Sequence, residues 1–305
     1  MKDFEFLLFD RIEKIKQINE QYDLENNAYI SFSGGKDSTI LHYLIDFALP
    51  NNKIPRVFIN TGIEYNDIVE FVKELQKNDD RFVIISSKKN IKQILENYGY
   101  PFKSKEHSDR LNQFQNGNLS DYVKYYIGLE SKKKKGRKCP KKLFYQFSND
   151  FTLKVSDKCC YQLKKSIANK FQQEYKKSIF LTGMRKEEGG QRINIKGCIL
   201  TDKNGKLKKF HPLLVVDEEW ENSFIEHFNI SLCKLYYPPF NFKRTGCKGC
   251  PFNLNLQEQL DTMEKLLPNE YKQCEIIWKP VYDEYRRIGY RLKKYKQINI
   301  FDFIE

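Results

Sequence analysis

The sequence predicts an α/β fold, a doubly wound and mostly parallel sheet with a polar insertion and a helical C-terminal region. Three observations carry that expectation. Short apolar runs, Ala28–Phe32, Arg56–Asn60 and Arg81–Ser86, alternate with stretches of helical period. Strands that alternate with helices pair in parallel and are covered on both faces. The first run opens directly into Ser33-Gly-Gly-Lys-Asp-Ser38 and then a helical pattern, the strand–turn–helix layout of an anion-binding βα unit.

Each element follows from its residues. Phe4, Leu7, Leu8, Ile12, Ile15 and Ile18 place an amphipathic helix over 3–20, and Ile40, Leu41, Leu44 and Ile45 place a second after the glycine turn. A helix over Asp67–Gln76 separates the second and third strands, and a short one over Asn90–Asn97 follows the third. The alternation stops near Tyr98. Residues 99–150 are polar and aromatic without a clear period, and they read as an insertion or lid. Order resumes with a helix around Tyr161–Glu174 and a strand over Ser178–Gly183. Gly197–Thr201 and Lys206–Phe210 flank Asn204-Gly205, which predicts a hairpin with a type I′ turn. A helix over Asp217–Phe228, a proline-rich aromatic stretch and two charged helices, roughly 255–267 and 269–296, finish the chain. The expected divisions are an N-terminal helix at 1–27, an α/β domain at 28–240 with its insertion at about 99–150, and a C-terminal segment at 241–305.

Composition narrows the function. The 305 residues are 40% apolar and 30% charged, which excludes a disordered or collagen-like chain. No apolar run reaches membrane-spanning length, and the N-terminal stretch carries acids within its apolar residues, unlike a secretory signal. The expectation is a soluble, cytoplasmic chain with no membrane partner. Eight cysteines are too few for a disulfide scaffold, so the clustered ones point to metal or redox chemistry. With 53 Lys+Arg against 40 Asp+Glu, the net charge of +13 suits a polyanionic partner, nucleotide or nucleic acid. A lysine-rich proteome accounts for the same excess.

The most informative stretch is Ser33-Gly34-Gly35-Lys36-Asp37-Ser38. Two glycines after a strand let the backbone curl with its N–H groups inward. Serine hydroxyls, a lysine and the positive end of the next helix complete an anion cradle. It is not a Walker A loop, since Asp follows the lysine and the required glycine spacing is missing. The hexapeptide in this context resembles the PP-loop of the ATP pyrophosphatases, a superfamily of adenine nucleotide alpha hydrolase-like, Rossmann-like fold that includes the phosphoadenosine phosphosulfate (PAPS) reductases. Two further stretches share the resemblance. Asn60-Thr61-Gly62 lies where the sulfonucleotide reductases have Asp-Thr-Gly, with Asn60 in place of the acid. Gly183-Met-Arg185-Lys-Glu-Glu188-Gly-Gly-Gln-Arg192 is similar to their Gly-x-Arg-x-x-Glu-Ser-x-x-Arg, with Gly189 in place of the serine. The resemblance implies a site for ATP, with Mg²⁺, made by Ser33, Gly34, Gly35, Lys36, Asp37, Ser38, Thr61, Gly62, Gly183, Arg185 and Glu188. Lys36, Asp37, Arg185 and Arg192 are its implied catalytic residues, the arginines gripping oxyanions in a bidentate fork.

Cys159-Cys160 and Cys247-x-x-Cys250 give two pairs of thiols. A Cys-x-x-Cys turn lets two thiolates face one metal centre, whereas adjacent cysteines converge only if the backbone bends. The combination, with Gly-Cys-x-x-Cys-Pro around the second pair, resembles the four-iron, four-sulfur site of adenylylsulfate reductases. It implies such a cluster on Cys159, Cys160, Cys247 and Cys250, with zinc as the alternative and Lys158, Lys164 and Lys165 offsetting negative charge. Cys198, Cys233 and Cys274 read as buried and inert, and Cys139 as a bystander. The reductases' nucleophilic cysteine, in a C-terminal Glu-Cys-Gly-Leu/Ile-His segment, has no counterpart here, which disfavours sulfonucleotide reduction. The resemblance then implies an ATP-dependent sulfurtransferase: an acceptor is adenylated, pyrophosphate leaves, and sulfur from a donor such as a cysteine desulfurase is inserted. A tRNA or DNA acceptor would meet the basic tract Lys132–Lys138, with Tyr122, Tyr125 and Tyr126 close by for base stacking. A solvated loop and a non-catalytic nucleotide or redox sensor are the plainer readings.

Overall fold

The computed structural model describes residues 2–133 and 135–294. Its contacts divide the chain into two compact units, Met1–Lys88 with Lys164–Gly246, and Lys89–Leu163 with Cys247–Glu305. The stretch expected as an insertion and the C-terminal segment thus fall largely in one unit.

The first unit is the doubly wound α/β fold. Its strands are β1 (Ala28–Phe32), β2 (Arg56–Asn60), β3 (Phe82–Ser86), β4 (Ile179–Leu181), β5 (Ile199–Thr201) and β6 (Leu207–Phe210). They form a single sheet in the order β3-β2-β1-β4-β6-β5. All neighbours are parallel except β5, which runs antiparallel to β6. In β1 the successive residues Ala28, Tyr29 and Ile30 are all buried, as a strand covered on both faces requires. One face packs Ile30, Leu181 and Phe210 under helices Lys2–Tyr22, Lys36–Ala48 and Glu218–His227, through Ile15, Ile18, Leu41, Leu44, Trp220 and Phe224. The other packs Tyr29 and Val57 against Phe171 of helix Ser166–Glu174. The β5–β6 hairpin departs from the expected type I′ turn. Asp202 N–H donates to Lys206 O and Gly205 N–H to Asp202 O, and Gly205 takes a positive φ while Asn204 does not. A three-residue loop with one left-handed glycine does here what a two-residue turn would do with two such residues.

The second unit is mainly helical. Residues 99–150, aperiodic in sequence, hold helices Lys105–Gln115 and Asp121–Ile127, each started by a serine whose hydroxyl accepts a backbone N–H. Val123, Tyr126 and Ile127 make a small core with Phe114 and Phe147. Buried His107 links Tyr126 and Gln146, and burial lowers its pKa to about 4. The long helix expected over 269–296 is two, Pro268–Ile277 and Lys279–Ile288. Pro280 has no N–H to give and its ring would collide with the preceding turn, so a new helix starts there. Residues 295 and 296, like Lys134 of the basic tract, lie outside the described residues. Among the described residues no helix is long and apolar enough to cross a membrane.

Candidate active site

In the first unit the strand order runs outward from β1 to β3 on one side and from β4 to β5 on the other, so the β1/β4 boundary is its topological switch. Crevices beyond the strand carboxyl ends at such a boundary are where open α/β sheets bind ligands. A cleft of about 540 Å³ lies there. Ser33, Gly35, Lys36, Asp37 and Ser38 line it from the glycine turn, and Gly183, Arg185, Glu188 and Arg192 from the segment after β4. Two stretches almost 150 residues apart in sequence therefore share one site.

The turn is tightly organised. Gly34 has φ +71°, and a Cβ there would come within 2.8 Å of Ile68 Cγ2, so both conformation and space call for glycine. Ser33 N–H donates to Ser38 Oγ at 3.2 Å, Gly35 N–H to Ser33 Oγ at 3.3 Å and Lys36 N–H to Tyr236 Oη at 3.0 Å. The serines and Tyr236 thus bind the very donors that would face an anion. Gly183 has another reason to be small: a Cβ would stand 2.5 Å from the carbonyl oxygen of Asp37. The backbone after β4 runs directly over the start of helix Lys36–Ala48.

Charge in the cleft is dense and of both signs. Lys36 Nζ lies 3.3 Å from Glu221 and 3.6 Å from Glu218. Arg185 Nε lies 3.1 Å from Glu221 and 3.4 Å from Asp37, while its Nη1 meets Glu187 at 2.6 Å. Burial works against the Arg185 charge, but Glu221, Asp37, Glu187 and Glu188 outweigh it and raise its pKa. Glu188 is shared by Arg192 at 3.1 Å and Arg244 at 2.6 Å. Burial lowers the Arg192 pKa, and the neighbouring Arg244 adds to that. Glu218, Glu221, Tyr236, Arg244 and Thr245 carry no motif that marks them in the sequence. The acids of Asp217-Glu-Glu-Trp-Glu221 look like the ordinary negative start of a helix.

Thr61 and Gly62 are placed differently and do not line the cleft. Thr61 is buried, and its N–H and hydroxyl both donate to the Glu64 carboxylate at 2.8 Å. Lys164 meets the same carboxylate at 3.3 Å. Asn60 Oδ1 accepts the Gly62 N–H at 3.0 Å, a turn an aspartate would make equally well.

The four paired thiols fall together in the second unit. Cys159 is hydrogen-bonded to Cys160, which with burial and the charges of Cys250 and Cys247 drives its pKa far above the ordinary thiol range. Gly249 explains the tight Cys-x-x-Cys turn, with φ +60° and Cys274 Sγ 2.7 Å from where a Cβ would lie. Lys248, between the two cysteines, is buried and paired with Glu270 at 3.5 Å. In kind, four thiols in two pairs suit iron–sulfur or zinc. In arrangement, no three His, Cys, Asp or Glu side chains among the described residues are set to hold a metal ion. Of the basic tract, Lys133 Nζ sits 3.7 Å above the Tyr122 ring and Lys138 Nζ 3.8 Å above Tyr125, while Tyr126 is buried. The exposed Tyr122 ring and the half-buried Tyr125 ring are thus already stacked with cations of their own chain.

Fold and cleft together define a doubly wound α/β protein with a cleft of mixed charge at its sheet switch point. A family model described as the phosphoadenosine phosphosulfate reductase domain matches residues 27–253, and the chain belongs to that family. An uncharacterized protein of Methanocaldococcus jannaschii is 32% identical over 126 residues, 38% of this chain; the chain spans 30% of that relative's length. Among solved structures, the chain is similar to the phosphate complex of a PAPS reductase from Candida auris, at 15% identity and TM-score 0.45, covering 76% of this chain and 87% of that one. It is similar also to the U34-tRNA thiolase of Methanococcus maripaludis with its four-iron, four-sulfur cluster, at 15% identity and TM-score 0.39, covering 94% and 80%.

Proposed function

We propose that the chain binds ATP, with Mg²⁺, in the β1/β4 cleft and cleaves it at the α-phosphorus to adenylate an acceptor for sulfur insertion. The supporting observation is the joining of Lys36 and Arg185 in one cleft with the Ser33–Ser38 turn, since this pairs a phosphate cradle with a guanidinium clamp. Ser33, Ser38 and the N–H groups of the turn would trade their internal bonds for phosphate oxygens. Lys36, Arg185 and Arg192 would neutralise charge on the leaving pyrophosphate, and Asp37 would orient the turn or the magnesium. An acceptor oxygen forms a bond to the α-phosphorus as the bond to pyrophosphate breaks. A sulfur nucleophile from a separate donor then forms its bond to the acceptor carbon and AMP leaves. Catalysis of this kind rests on positioning and on preset charges. Cys159, Cys160, Cys247 and Cys250 would hold a four-iron, four-sulfur cluster, zinc being the alternative. When bound, the cluster would supply iron able to carry sulfide. The acceptor class that suits the basic tract is nucleic acid, tRNA or DNA.

The second reading, reduction of a sulfonucleotide, has the family's own description in its favour. It needs an exposed thiolate of low pKa. Outside the two pairs, Cys274 is fully buried with its pKa pushed up to about 12 by burial, and burial takes Cys139 to about 11. Cys233 is buried too, whereas Cys198, expected to be buried, is only partly so and packs against the edge of the core.

The test uses chain purified without oxygen, ATP labelled at the α-phosphate, a sulfide source and a tRNA or DNA pool. Acceptor-dependent release of labelled AMP with equal pyrophosphate supports the proposal. Sulfite release from a sulfonucleotide with thioredoxin, and none of the former, would turn the assignment to the reductase. Stoichiometric zinc without iron or sulfide would remove the cluster.

A further inference from the structure

Glu221 sits behind the lining of the cleft with no exposed surface. Its helix, Glu218–His227, brings the carboxylate 3.3 Å from Lys36 Nζ and 3.1 Å from Arg185 Nε. These are two of the cations assigned above to phosphate. Toward these two cations its oxygens make ion pairs without an aligned hydrogen bond, and the Asp37 carboxyl lies against it as well. The charged groups around it are Lys36 and Asp37 from helix Lys36–Ala48, Arg185 from the segment after β4, and Glu218 from its own helix, which shares Lys36.

The conflict is electrostatic. A polyphosphate that claims Lys36 and Arg185 would leave a buried carboxylate without its counter-charges, beside new negative charge. A buried group in that position neutralises itself, since an unpaired charge away from water is strongly disfavoured. Asp37 is part exposed and can turn to water; Glu221 is walled in. We propose that Glu221 is the positioning residue of this cleft: it aims Lys36 and Arg185, and it must be protonated when a polyphosphate draws them away, taking up that proton on binding wherever the free cleft does not already hold it. Burial first, and then the charge of Asp37, already push its pKa up to about 8. An anion on Lys36 and Arg185 moves it higher. Below about pH 8 the proton is already present, so uptake costs little. Above it, the proton must come from an alkaline solvent, and affinity falls as pH rises.

The inference rests on the ATP reading, and two probes separate them: inorganic pyrophosphate and the α,β-methylene analogue of ATP. Binding of each is measured by calorimetry at pH 7 and pH 9, in buffers of different ionisation heat, to wild type and to Glu221→Gln. Titration of the ligand's own phosphates is common to both proteins and cancels in their ratio. Wild type is expected to take up about one proton at pH 9, and the wild-type to variant affinity ratio to fall roughly tenfold from pH 7 to pH 9. The uptake on wild type, counted after adding back the protons that the probe's own phosphates release, needs no variant to fold. Binding of either probe without uptake at pH 9, or with an unchanged ratio, overturns the role of Glu221 and leaves the ATP reading standing. Pyrophosphate binding with uptake but no binding of the analogue supports Glu221 and defeats the ATP reading. No binding of either probe to wild type overturns both.

Discussion

At the carboxyl end of β1, Ser33, Gly35, Lys36, Asp37 and Ser38 line the cleft from one short turn, and one helix start fixes them. The thiols of the second unit come instead from two short pairs, Cys159-Cys160 and Cys247-x-x-Cys250, far apart in the chain. The cleft's charges are matched side chain by side chain, with Glu221 and Glu188 each meeting two cations. The thiols burden one another, as the raised pKa of Cys159 shows. A site that satisfies its own charges can stand ready for an exchange of partners. A set of crowded thiols gains from a cation that removes their protons.

The widest effect should come from separating the two. Lys36→Ala should weaken binding of the ATP analogue by about 10²-fold, the scale of a lost charge-assisted bond of 1.5–3 kcal/mol, while iron and sulfide per chain stay as in wild type. Cys247→Ser should lower iron and sulfide per chain severalfold and leave analogue affinity within a small factor. Metal analysis and calorimetry on the same samples check both. If Cys247→Ser weakens the nucleotide as much as Lys36→Ala does, the two sites do not act as separate pieces of chemistry.

Next come the glycines on which each site turns. A methyl group at Gly183 meets the Asp37 carbonyl at 2.5 Å, and one at Gly249 meets Tyr282 Oη at 2.5 Å with φ at +60°. Gly183→Ala and Gly249→Ala should each cost about 2–4 kcal/mol, read from denaturant unfolding followed by circular dichroism. Gly62, at φ +83° but with nothing within 4 Å of an added Cβ, should cost only about 1 kcal/mol when changed to alanine. Equal losses at all three would show that conformation, and not close approach, sets the requirement.

These contrasts also explain what could be read from the amino-acid sequence. The strands of the first unit were legible because each is a short apolar run beside a turn signal, and the glycine turn because its residues are contiguous. Residues 99–150 hid two helices, since their cores are small and polar residues such as His107 and Gln146 are buried in them. Glu221 was illegible for another reason. Its acid is indistinguishable in sequence from Glu218 and Glu219, and only the packing of Trp220 and Phe224 against the core decides which of the three turns inward. Tyr236 reaches Lys36 across 200 residues of chain, a contact no local pattern records.

Acid should weaken both units on similar terms. His42 and His211 in the first and His107 in the second are buried, and desolvation lowers each pKa to about 4. Because these folded values lie below the unfolded one near 6.5, the stability they contribute is present above about pH 6.5 and is lost as pH falls toward 4. Each should cost on the order of 1–2 kcal/mol by pH 5. Denaturant unfolding at pH 7 and pH 5 measures the sum, and His107→Gln, which keeps a polar link between Tyr126 and Gln146, should remove part of the pH dependence. A stability unchanged between the two pH values would mean that these rings are charged or reach water in the folded chain.

The smallest effect separates two roles for Thr61. Its family resemblance puts it at the nucleotide, yet its N–H and hydroxyl are both spent on Glu64, whose carboxylate also meets Lys164. Thr61→Val keeps the shape and the N–H and deletes one hydroxyl donor. If Thr61 serves the fold, Glu64 keeps two of its three partners, stability falls by about 1 kcal/mol and affinity for the ATP analogue shifts by less than about twofold. If the hydroxyl reaches the nucleotide, affinity falls by about tenfold with little change in stability, because the lost bond was made to ligand. The two outcomes move opposite readouts. A loss confined to affinity would extend the cleft from the β1/β4 boundary to the end of β2, where the described side chains now meet only one another.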